Sequence, residues 1–162
     1  FERENRGYFE RFVEARAARL YSPLGIRDHI GELIRETLAG TASPWLLLDG
    51  VDVVARANLS QLDPATASAE IGYRVSAAHA GRGIATRCVA HLIETAEQRF
   101  GIRLLRAAVL ANNPASARVL EKYGFRSTAC LPSPVAIGGE PLEGSLYELD
   151  RRKTGAPAPP DL

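Results

Sequence analysis

The sequence predicts one mixed α+β domain over residues 1–150 and a solvated, flexible tail over residues 151–162. Two observations favour this class: 162 residues suffice to bury one hydrophobic core, and helical spacing of apolar residues changes several times to strand alternation. The predicted order is helix, helix, hairpin, strand, long helix, strand, short helix and two strands. Because helices and strands do not alternate regularly, a doubly wound parallel sheet is excluded.

The first forty residues predict two helices. In the first twenty, apolar side chains recur near one helical face, which is interrupted at Arg16. We expect a loop containing Pro23 and Gly25 to follow. The second helix carries an apolar stripe and ends at Gly40, a residue typical of helix C-termini. The apolar residues are Phe1, Tyr8, Phe9, Phe12, Val13 and Leu20 in the first helix, and Ile30, Leu33, Ile34 and Leu38 in the second.

Three strands are predicted next. The segments WLLLDG and VDVVARANLS form a hairpin in this interpretation, with a tight turn at Asp49-Gly50. The segment SAEIGYRVS alternates as a third strand. Its two faces carry Glu70, Gly72 and Arg74 on one side, and Ile71, Tyr73 and Val75 on the other.

The second half of the chain predicts two helices and three strands. The longest helix runs from Gly83 to Phe100, and the strand LLRAAVL follows it. A short helix begins at Asn113-Pro114, an N-cap residue followed by proline, and ends at Gly124. Two closing strands, around FRSTACL and GSLYELD, flank a loop rich in Gly and Pro. The stripe predicted to be buried on the long helix consists of Ile84, Cys88, Val89, Leu92, Ile93 and Ala96.

Composition limits the partners. A formal net charge of +1 argues against a nucleic-acid-binding surface, and no apolar run approaches the length that spans a membrane. Nothing at the N-terminus resembles a secretory signal. We interpret Cys88 and Cys130 as free, buried, reduced thiols of a cytoplasmic protein. The three histidines are scattered and neither cysteine has a ligand-spaced partner, so no metal site is predicted.

Two glycines stand where the third strand meets the long helix, in the sequence Gly81-Arg82-Gly83. The first-turn N–H groups of a helix lack internal partners and attract anions, and glycine lets phosphate oxygens approach them. The alternative is a plain turn that uses glycine for positive φ. A dinucleotide fingerprint is excluded because Thr86 occupies the position of its third glycine.

Three segments together resemble the GNAT superfamily of acetyl-CoA-dependent N-acetyltransferases: AEIGYRV, GRGIAT and VLANNPASARVLEKYGF. The likeness is greatest to the Rim-type branch, whose members acetylate N-terminal amines of ribosomal proteins, and it covers residues 45–149. It implies a three-layer αβα fold with a mostly antiparallel sheet, two splayed parallel strands and flanking helices. It also implies a further first strand before Phe1, acetyl-CoA as cosubstrate and a primary amine acceptor on a small molecule or a protein N-terminus. The resemblance does not fix the oligomeric state, for which a homodimer is one alternative.

The resemblance assigns site residues by position. The loop over residues 81–86 corresponds to the loop whose N–H groups hold the coenzyme A pyrophosphate, and Val75 lies where the family strand binds the pantetheine arm. Asn113 corresponds to an asparagine that contacts this arm, and Ser116 to a serine that protonates the departing thiolate. The coenzyme-binding residues implied in this way are Val75, Ala80, Gly81, Arg82, Gly83, Ile84, Ala85, Thr86, Asn113 and Ser116.

Catalysis requires a neutral amine, so a base must accept a proton. Glu70 is the first candidate because it matches a glutamate that some family members use as base; the alternative is an exposed residue or a partner of Arg74. His79 and His29 are weaker candidates. Ser116 is the candidate acid, and the alternative is that it only completes a helix cap.

Departures from the family pattern keep a second function open. Ala80 replaces a usual Gln or Arg, Leu120 a frequent tyrosine and Thr128 a frequent Glu. A catalytically impaired sensor or interaction module that binds acyl-CoA is therefore the alternative to an acetyltransferase. An acidic lining would suit a cationic acceptor. The candidate residues for that lining are Glu70, Glu140 and Glu143.

Overall fold

A six-stranded sheet and a two-stranded sheet, with helices around them, make up the computed structural model, which describes residues 1–152. The helices are α1 Arg6–Phe9, α2 Pro23–Leu38, α3 Ile84–Phe100 and α4 Pro114–Lys122, with 3-10 turns at Ala18–Tyr21 and Ala77–His79. The strands are β1 Ser43–Asp49, β2 Asp52–Asp63, β3 Ser68–Val75, β4 Leu104–Leu110, β5 Arg126–Cys130, β6 Val135–Ile137, β7 Glu140–Leu142 and β8 Gly144–Asp150. Of the predicted tail, residues 153–162 lie outside the described residues. Across residues 1–152, no helix is long and apolar enough to cross a bilayer.

The large sheet opens between two of its strands. Its order is β1-β2-β3-β4-β8-β5, and every neighbouring pair is antiparallel except β3 and β4. The parallel pairing is short, because it joins only residues 68–70 to residues 104–106. Beyond it β3 continues to Val75 and β4 to Leu110 without a shared ladder. This topology confirms the predicted α+β class, with a mostly antiparallel sheet and two splayed parallel strands.

Helix α3 packs on one face of this sheet through the predicted apolar stripe. Its residues Cys88, Val89, Leu92, Ile93 and Ala96 are buried, and Ile84 is half-buried against the same core. They form one core with alternate residues of the strands, including Ala55, Ala57, Leu59 and Ile71. Strand alternation turns the residues between these to the opposite face.

That opposite face carries polar residues and is bordered by α2. Arg56 and Asn58 of β2 line a cavity of about 840 Å³ together with Ile30 and Leu33 of α2. Helix α2 therefore lies on the side of the sheet opposite to α3, which completes the three layers. Its predicted C-terminal stop is confirmed, since α2 ends at Leu38 and Gly40 has φ +73°.

The long N-terminal helix predicted over residues 1–20 is wrong. Only α1, Arg6–Phe9, is helical there, followed by turns and by the 3-10 turn Ala18–Tyr21. Short helices depend on tertiary packing more than on local propensity. Here the side chain of Glu2 pairs with Arg56 and Arg74 of the sheet, and that of Asn5 accepts a hydrogen bond from the N–H of Ala77 at 2.9 Å. These contacts hold the segment against the sheet in place of a continuous helix.

The loop predicted around Pro23 and Gly25 is also wrong, because α2 begins there. Ser22 is the N-cap, and its hydroxyl accepts a hydrogen bond from the N–H of Gly25 at 3.0 Å. Pro23 occupies the first helical position, where its missing N–H costs nothing and its φ is already helical. A Cβ at Gly25 would meet the backbone of Arg19, so only glycine fits this first turn.

Two smaller expectations need correction near the C-terminus. The loop between the closing strands contains the hairpin β6–β7, which turns at Gly138 and Gly139, both with positive φ. Cys88 and Cys130 are both free, as predicted, but Cys130 is exposed. It lies on β5, the edge strand of the sheet, all of whose residues are exposed.

Candidate active site

The predicted anion-binding junction lies just before α3. Gly81 and Gly83 both have φ of +75°, a conformation that L side chains rarely adopt. A Cβ at either position would meet nothing within 4 Å, so the backbone angle and not crowding requires glycine. The first helical hydrogen bond runs from the N–H of Arg87 to the carbonyl of Gly83 at 3.1 Å. The N–H groups of residues 84–86 therefore have no intrahelical acceptor and point toward the space before the helix.

The free edge of β3 leads from this junction into the sheet. The N–H of Ser76 donates to the carbonyl of Val54 at 2.9 Å, across the β2 side. Because successive N–H groups of a strand point to opposite edges, the N–H of Val75 faces the side from which β4 has diverged. The polar edge of β3 is thus available beside the gap between β3 and β4.

A cavity of about 650 Å³ joins the glycine junction to the start of α4. Every predicted coenzyme-binding residue except Arg82 lines it. These residues are Val75, Ala80, Gly81, Gly83, Ile84, Ala85, Thr86, Asn113 and Ser116. Arg82 is exposed and is not among the lining residues. Residues from β3, the glycine loop, α3 and α4 therefore surround one space, as the sequence predicts.

Ser116 is held between a helix cap and a tyrosine. Asn113 is the N-cap of α4, and its side-chain oxygen accepts a hydrogen bond from the N–H of Ser116 at 3.1 Å. The hydroxyl of Ser116 does not take part in this cap; it lies 2.7 Å from the hydroxyl of Tyr73 on β3. Burial raises the pKa of Tyr73, and the hydrogen bond with Ser116 offsets part of that rise. Two adjacent hydroxyl groups, both able to donate a proton, thus line the cavity.

A second cavity, of about 360 Å³, passes through the gap in the sheet. Its lining includes Tyr73 and Ser116 on the α3 side and Arg56 and Arg74 on the opposite side. The two cavities share Phe12, Val13, Tyr73, Arg74, Asn113 and Ser116. A molecule in the first cavity and a molecule entering from the opposite face would therefore meet beside Ser116.

Charged residues surround the opposite-face end of the second cavity. The carboxylate of Glu2 pairs with Arg56 at 2.7 Å and with Arg74 at 3.0 Å. Burial disfavours the charged form of Glu2, but the attraction of the two arginines outweighs it and lowers the pKa of Glu2. Arg16 lines the same cavity and is half-buried.

Glu70, the first candidate base, is not among the residues that line either of these two cavities. It lies near the start of β3, five residues before Val75, a distance of about 16 Å along an extended strand. It lines a separate surface depression together with Arg106 and Arg152. Glu70 does not pair with Arg74 either, since Arg74 pairs with Glu2.

The acidic lining suggested for a cationic acceptor is not found either. Glu140 and Glu143 are exposed and are absent from the residues that line the two cavities. The carboxylate that does line the second cavity is that of Glu14, which is exposed at its rim. Arginines, and not glutamates, therefore dominate the opposite-face entrance.

The histidines differ in their relation to the site. His79 lines the 650 Å³ cavity, where its Nδ1 lies 2.8 Å from the hydroxyl of Ser76. His29 of α2 lies beside the 840 Å³ cavity, and burial lowers its pKa, helped by the charges of Arg16 and Arg56. Its Nε2 is buried and has no hydrogen-bond partner among residues 1–152.

Sequence reasoning missed Tyr73 and the three arginines as members of the site. Alternation assigned Tyr73 to a face of β3, but nothing local indicated that α4 would bring Ser116 against it. For Arg16 a signal existed, because this charged residue interrupts the apolar face of the predicted first helix. A charged side chain on an apolar face is uncommon and indicates a buried partner or a site.

Comparison with known proteins identifies similar sequences and folds. Residues 5–126 match the family described as acetyltransferase (GNAT) domain. The "Probable N-acetyltransferase YjcK" of Bacillus subtilis (strain 168) is 31% identical over 139 residues, which covers 84% of this chain and 77% of that protein. These matches agree with the resemblance drawn from the sequence motifs.

Two solved structures have a similar fold. Mycobacterium smegmatis RimJ, in complex with CoA-disulfide, gives a TM-score of 0.85 at 19% identity, covering 96% of this chain and 76% of that one. The ribosomal-protein-S5-alanine acetyltransferase from Vibrio fischeri gives a TM-score of 0.86 at 18% identity, covering 94% and 85%. At this level of identity the likeness concerns the fold.

Proposed function

Because this chain belongs to the GNAT acetyltransferase family and is an acyltransferase, we propose that it transfers the acetyl group of acetyl-CoA to a primary amine. The amine is that of a small molecule or of a protein N-terminus, and it attacks the thioester directly while both substrates are bound. The observation that carries this proposal is the meeting of two cavities beside Ser116, one of which starts at the glycine junction.

The chemistry of acetyl-CoA fits the 650 Å³ cavity that starts at the glycine junction. The unpaired N–H groups at the start of α3, with the positive end of the helix dipole, suit the pyrophosphate. The free edge of β3 at Val75 suits the amide groups of the pantetheine arm, which hydrogen-bond as a strand does. The thioester would then lie near the gap, within reach of Ser116. The solved RimJ structure, which contains a CoA-disulfide, supports a coenzyme A site in this fold.

The reaction in this arrangement is one nucleophilic substitution. The nitrogen lone pair of the amine forms a bond to the thioester carbon, and the carbonyl oxygen becomes an oxyanion. A backbone N–H at the free edge of β3 is suited to stabilise that oxyanion. The carbon–sulfur bond then breaks, and the sulfur leaves as a thiolate that takes up a proton.

Ser116 and Tyr73 supply that proton as a pair. An alcohol is too weak an acid to protonate a thiolate and stay ionised, whereas a phenol is a much stronger acid than an alcohol, although burial raises the pKa of Tyr73. We therefore assign Ser116 as the donor to sulfur and Tyr73 as the donor to Ser116, across the 2.7 Å contact of their hydroxyl groups. Tyr73 then regains a proton from solvent, which balances the proton that the amine loses.

The amine must lose one proton in the same reaction. Glu70 lines neither of the two cavities that meet beside Ser116, so we assign it no direct contact with the amine. Glu14 lines the second cavity at its exposed rim, so water between the amine and Glu14 provides a route to solvent. Much of the rate then comes from holding the amine against the thioester, which makes no single base essential.

An acceptor screen tests the proposal. The protein is incubated with acetyl-CoA and a panel of amines that includes amino acids, short peptides, polyamines and aminoglycosides. Thiol release is followed and products are identified by mass. We expect at least one amine class to be acetylated. Coenzyme A binding in calorimetry with no turnover on any amine would instead support the acyl-CoA sensor.

A further inference from the structure

We propose that the acceptor of this enzyme carries an oxyanion, a carboxylate or a phosphate, near its amine, and that Arg16 binds this group. The inference rests on the proposed function, since it concerns the acceptor of the acetyl-transfer reaction. It names a substrate class that the cavity favours: amines that are themselves acidic molecules.

Three guanidinium groups, those of Arg16, Arg56 and Arg74, line the cavity that passes through the sheet. Two of them share the single negative charge of Glu2, whose two carboxylate oxygens each contact one arginine, at 2.7 and 3.0 Å. These side chains are nearly buried, with 11% of Glu2 and 15–16% of Arg56 and Arg74 exposed. Glu2 itself does not line this cavity, but its two contacts hold Arg56 and Arg74 in place beside it.

Arg16 is the third cation, and the negative charge of Glu2 also acts on it, but the two side chains make no direct ion pair. Within residues 1–152 its side chain makes no ion pair and no hydrogen bond. Burial, together with the positive charges of Arg74 and Arg56, lowers the pKa of Arg16, yet a guanidinium stays protonated in proteins. One carboxylate does not balance three guanidinium groups, so a further anion beside Arg16 would stabilise the cluster. A carboxylate or phosphate matches the planar fork of Arg16 with two hydrogen bonds.

The position of this charge relative to the chemistry favours an acceptor over another ligand. Arg74 follows Tyr73 in β3, and both line the two cavities where these meet beside Ser116. Arg16 lines only the second cavity, on the side from which an acceptor would enter. A polyamine acceptor is disfavoured there, because like charges repel strongly at partly buried sites.

The test uses acceptors that share one amine and differ in charge. The set consists of short ω-aminocarboxylates, their primary amides, aminoalkyl phosphates and diamines of equal length, each with acetyl-CoA. We expect the wild-type kcat/KM to be about tenfold to a hundredfold higher for the anionic acceptors than for the amides, the range that hydrogen bonds to charged groups produce. Comparing kcat/KM for the aminoalkyl phosphates with kcat/KM for the ω-aminocarboxylates shows which oxyanion the enzyme prefers.

Three variants identify the residue responsible. Arg16→Gln should remove most of the preference for anions, measured as the ratio of kcat/KM between each carboxylate and its amide. Arg16→Lys should keep part of the preference, because it retains the charge but not the fork. Arg27→Gln is the matched control, since Arg27 is 75% exposed on α2 and should change nothing.

The outcomes separate this inference from the proposed function. Equal kcat/KM for anionic and neutral acceptors in the wild type overturns the inference and leaves the acetyltransferase in place. The inference is also overturned if Arg16→Gln loses activity because it binds coenzyme A more weakly in calorimetry, since Arg16 would then contact the coenzyme and not the acceptor. Absence of acetylation with every amine overturns the proposed function itself. If Arg16→Gln fails to fold, the wild-type preference alone decides.

Discussion

The hydroxyl oxygens of Tyr73 and Ser116 lie 2.7 Å apart, which connects β3 to the first turn of α4 beside the gap in the sheet. The backbone N–H of Ser116 is already used by the side chain of Asn113. The serine is thus fixed by its N–H, and its hydroxyl contacts the tyrosine. If Ser116 is the acid, as proposed, Tyr73 lies behind it as a second hydroxyl able to donate a proton, and its effect can be measured.

Replacing Tyr73 with Phe should slow the chemical step. We expect kcat to fall about tenfold to a hundredfold, at or below the usual contribution of one general acid, with coenzyme A affinity almost unchanged. The pKa of Tyr73 is raised by burial, so wild-type activity should decline only above the ordinary phenol value of about 10. The variant should lack this decline. Steady-state kinetics against pH, with calorimetry for coenzyme A, makes the measurement.

Combining Tyr73→Phe with Ser116→Ala tests whether the two hydroxyl groups act as one unit. If they do, the double variant should be about as slow as Ser116→Ala alone, because residues that act together are not additive. Multiplicative losses would show that each residue acts independently, and a loss confined to stability would assign the contact a structural role. Thermal unfolding of all three variants provides that control.

Replacing Gly83 with Val should weaken coenzyme A binding more than tenfold. The change places a side chain over the N–H groups that suit the pyrophosphate and strains a residue with φ +75° by about 1–2 kcal/mol. Gly101→Val is the matched control at the other end of α3: its φ is +64°, and an added Cβ would also meet nothing within 4 Å. It should cost similar stability and leave binding unchanged. Equal losses of binding in both variants would contradict a pyrophosphate site at Gly83.

Local sequence rules predicted the parts of the fold that depend on local chemistry. The N-cap Asn113, the positive φ at Gly81 and Gly83, and the buried stripe of α3 each follow from residue type and spacing. These features provide most of the lining of the 650 Å³ cavity. The residues proposed to bind coenzyme A therefore come together in one cavity, and the resemblance alone supplied a role for each position.

The acceptor half was not accessible, because it depends on contacts between distant segments. Glu2 meets Arg56 and Arg74 across more than fifty residues, and this contact replaces the helix predicted for the N-terminal segment. Glu70 was assigned by its motif, but the two strands separate just after it, so it stays in the paired region. The end of β3 that faces the cavity is set by the residue at which its pairing with β4 stops. Local sequence patterns do not encode that residue.

Replacing Glu70 with Gln should leave catalysis within about twofold of wild type, because this residue lies about 16 Å along β3 from Val75 and outside both cavities. The pH dependence of kcat/KM should also be unchanged. Glu14→Gln is the comparison, since Glu14 lines the second cavity and its replacement should lower kcat/KM more than Glu70→Gln does. A large loss of kcat in Glu70→Gln alone would restore Glu70 as the base.

Replacing Glu2 with Gln should lower stability and change how stability depends on pH. The pKa of Glu2 is lowered in the folded protein, since Arg56 and Arg74 outweigh the effect of burial. A lowered carboxyl pKa means that its stabilisation is fully present above the unfolded value, about 4.3, and is lost as pH falls through the lower folded value. At neutral pH the variant leaves two nearly buried guanidinium groups without their carboxylate, which costs about 3 kcal/mol. Urea unfolding from pH 7 to pH 3 should therefore show that the difference in unfolding free energy between wild type and variant becomes smaller in acid. The control Glu4→Gln, at a side chain that is 82% exposed, should follow wild type throughout. A difference that stays constant with pH would show that Glu2 stabilises the fold by packing and not by charge.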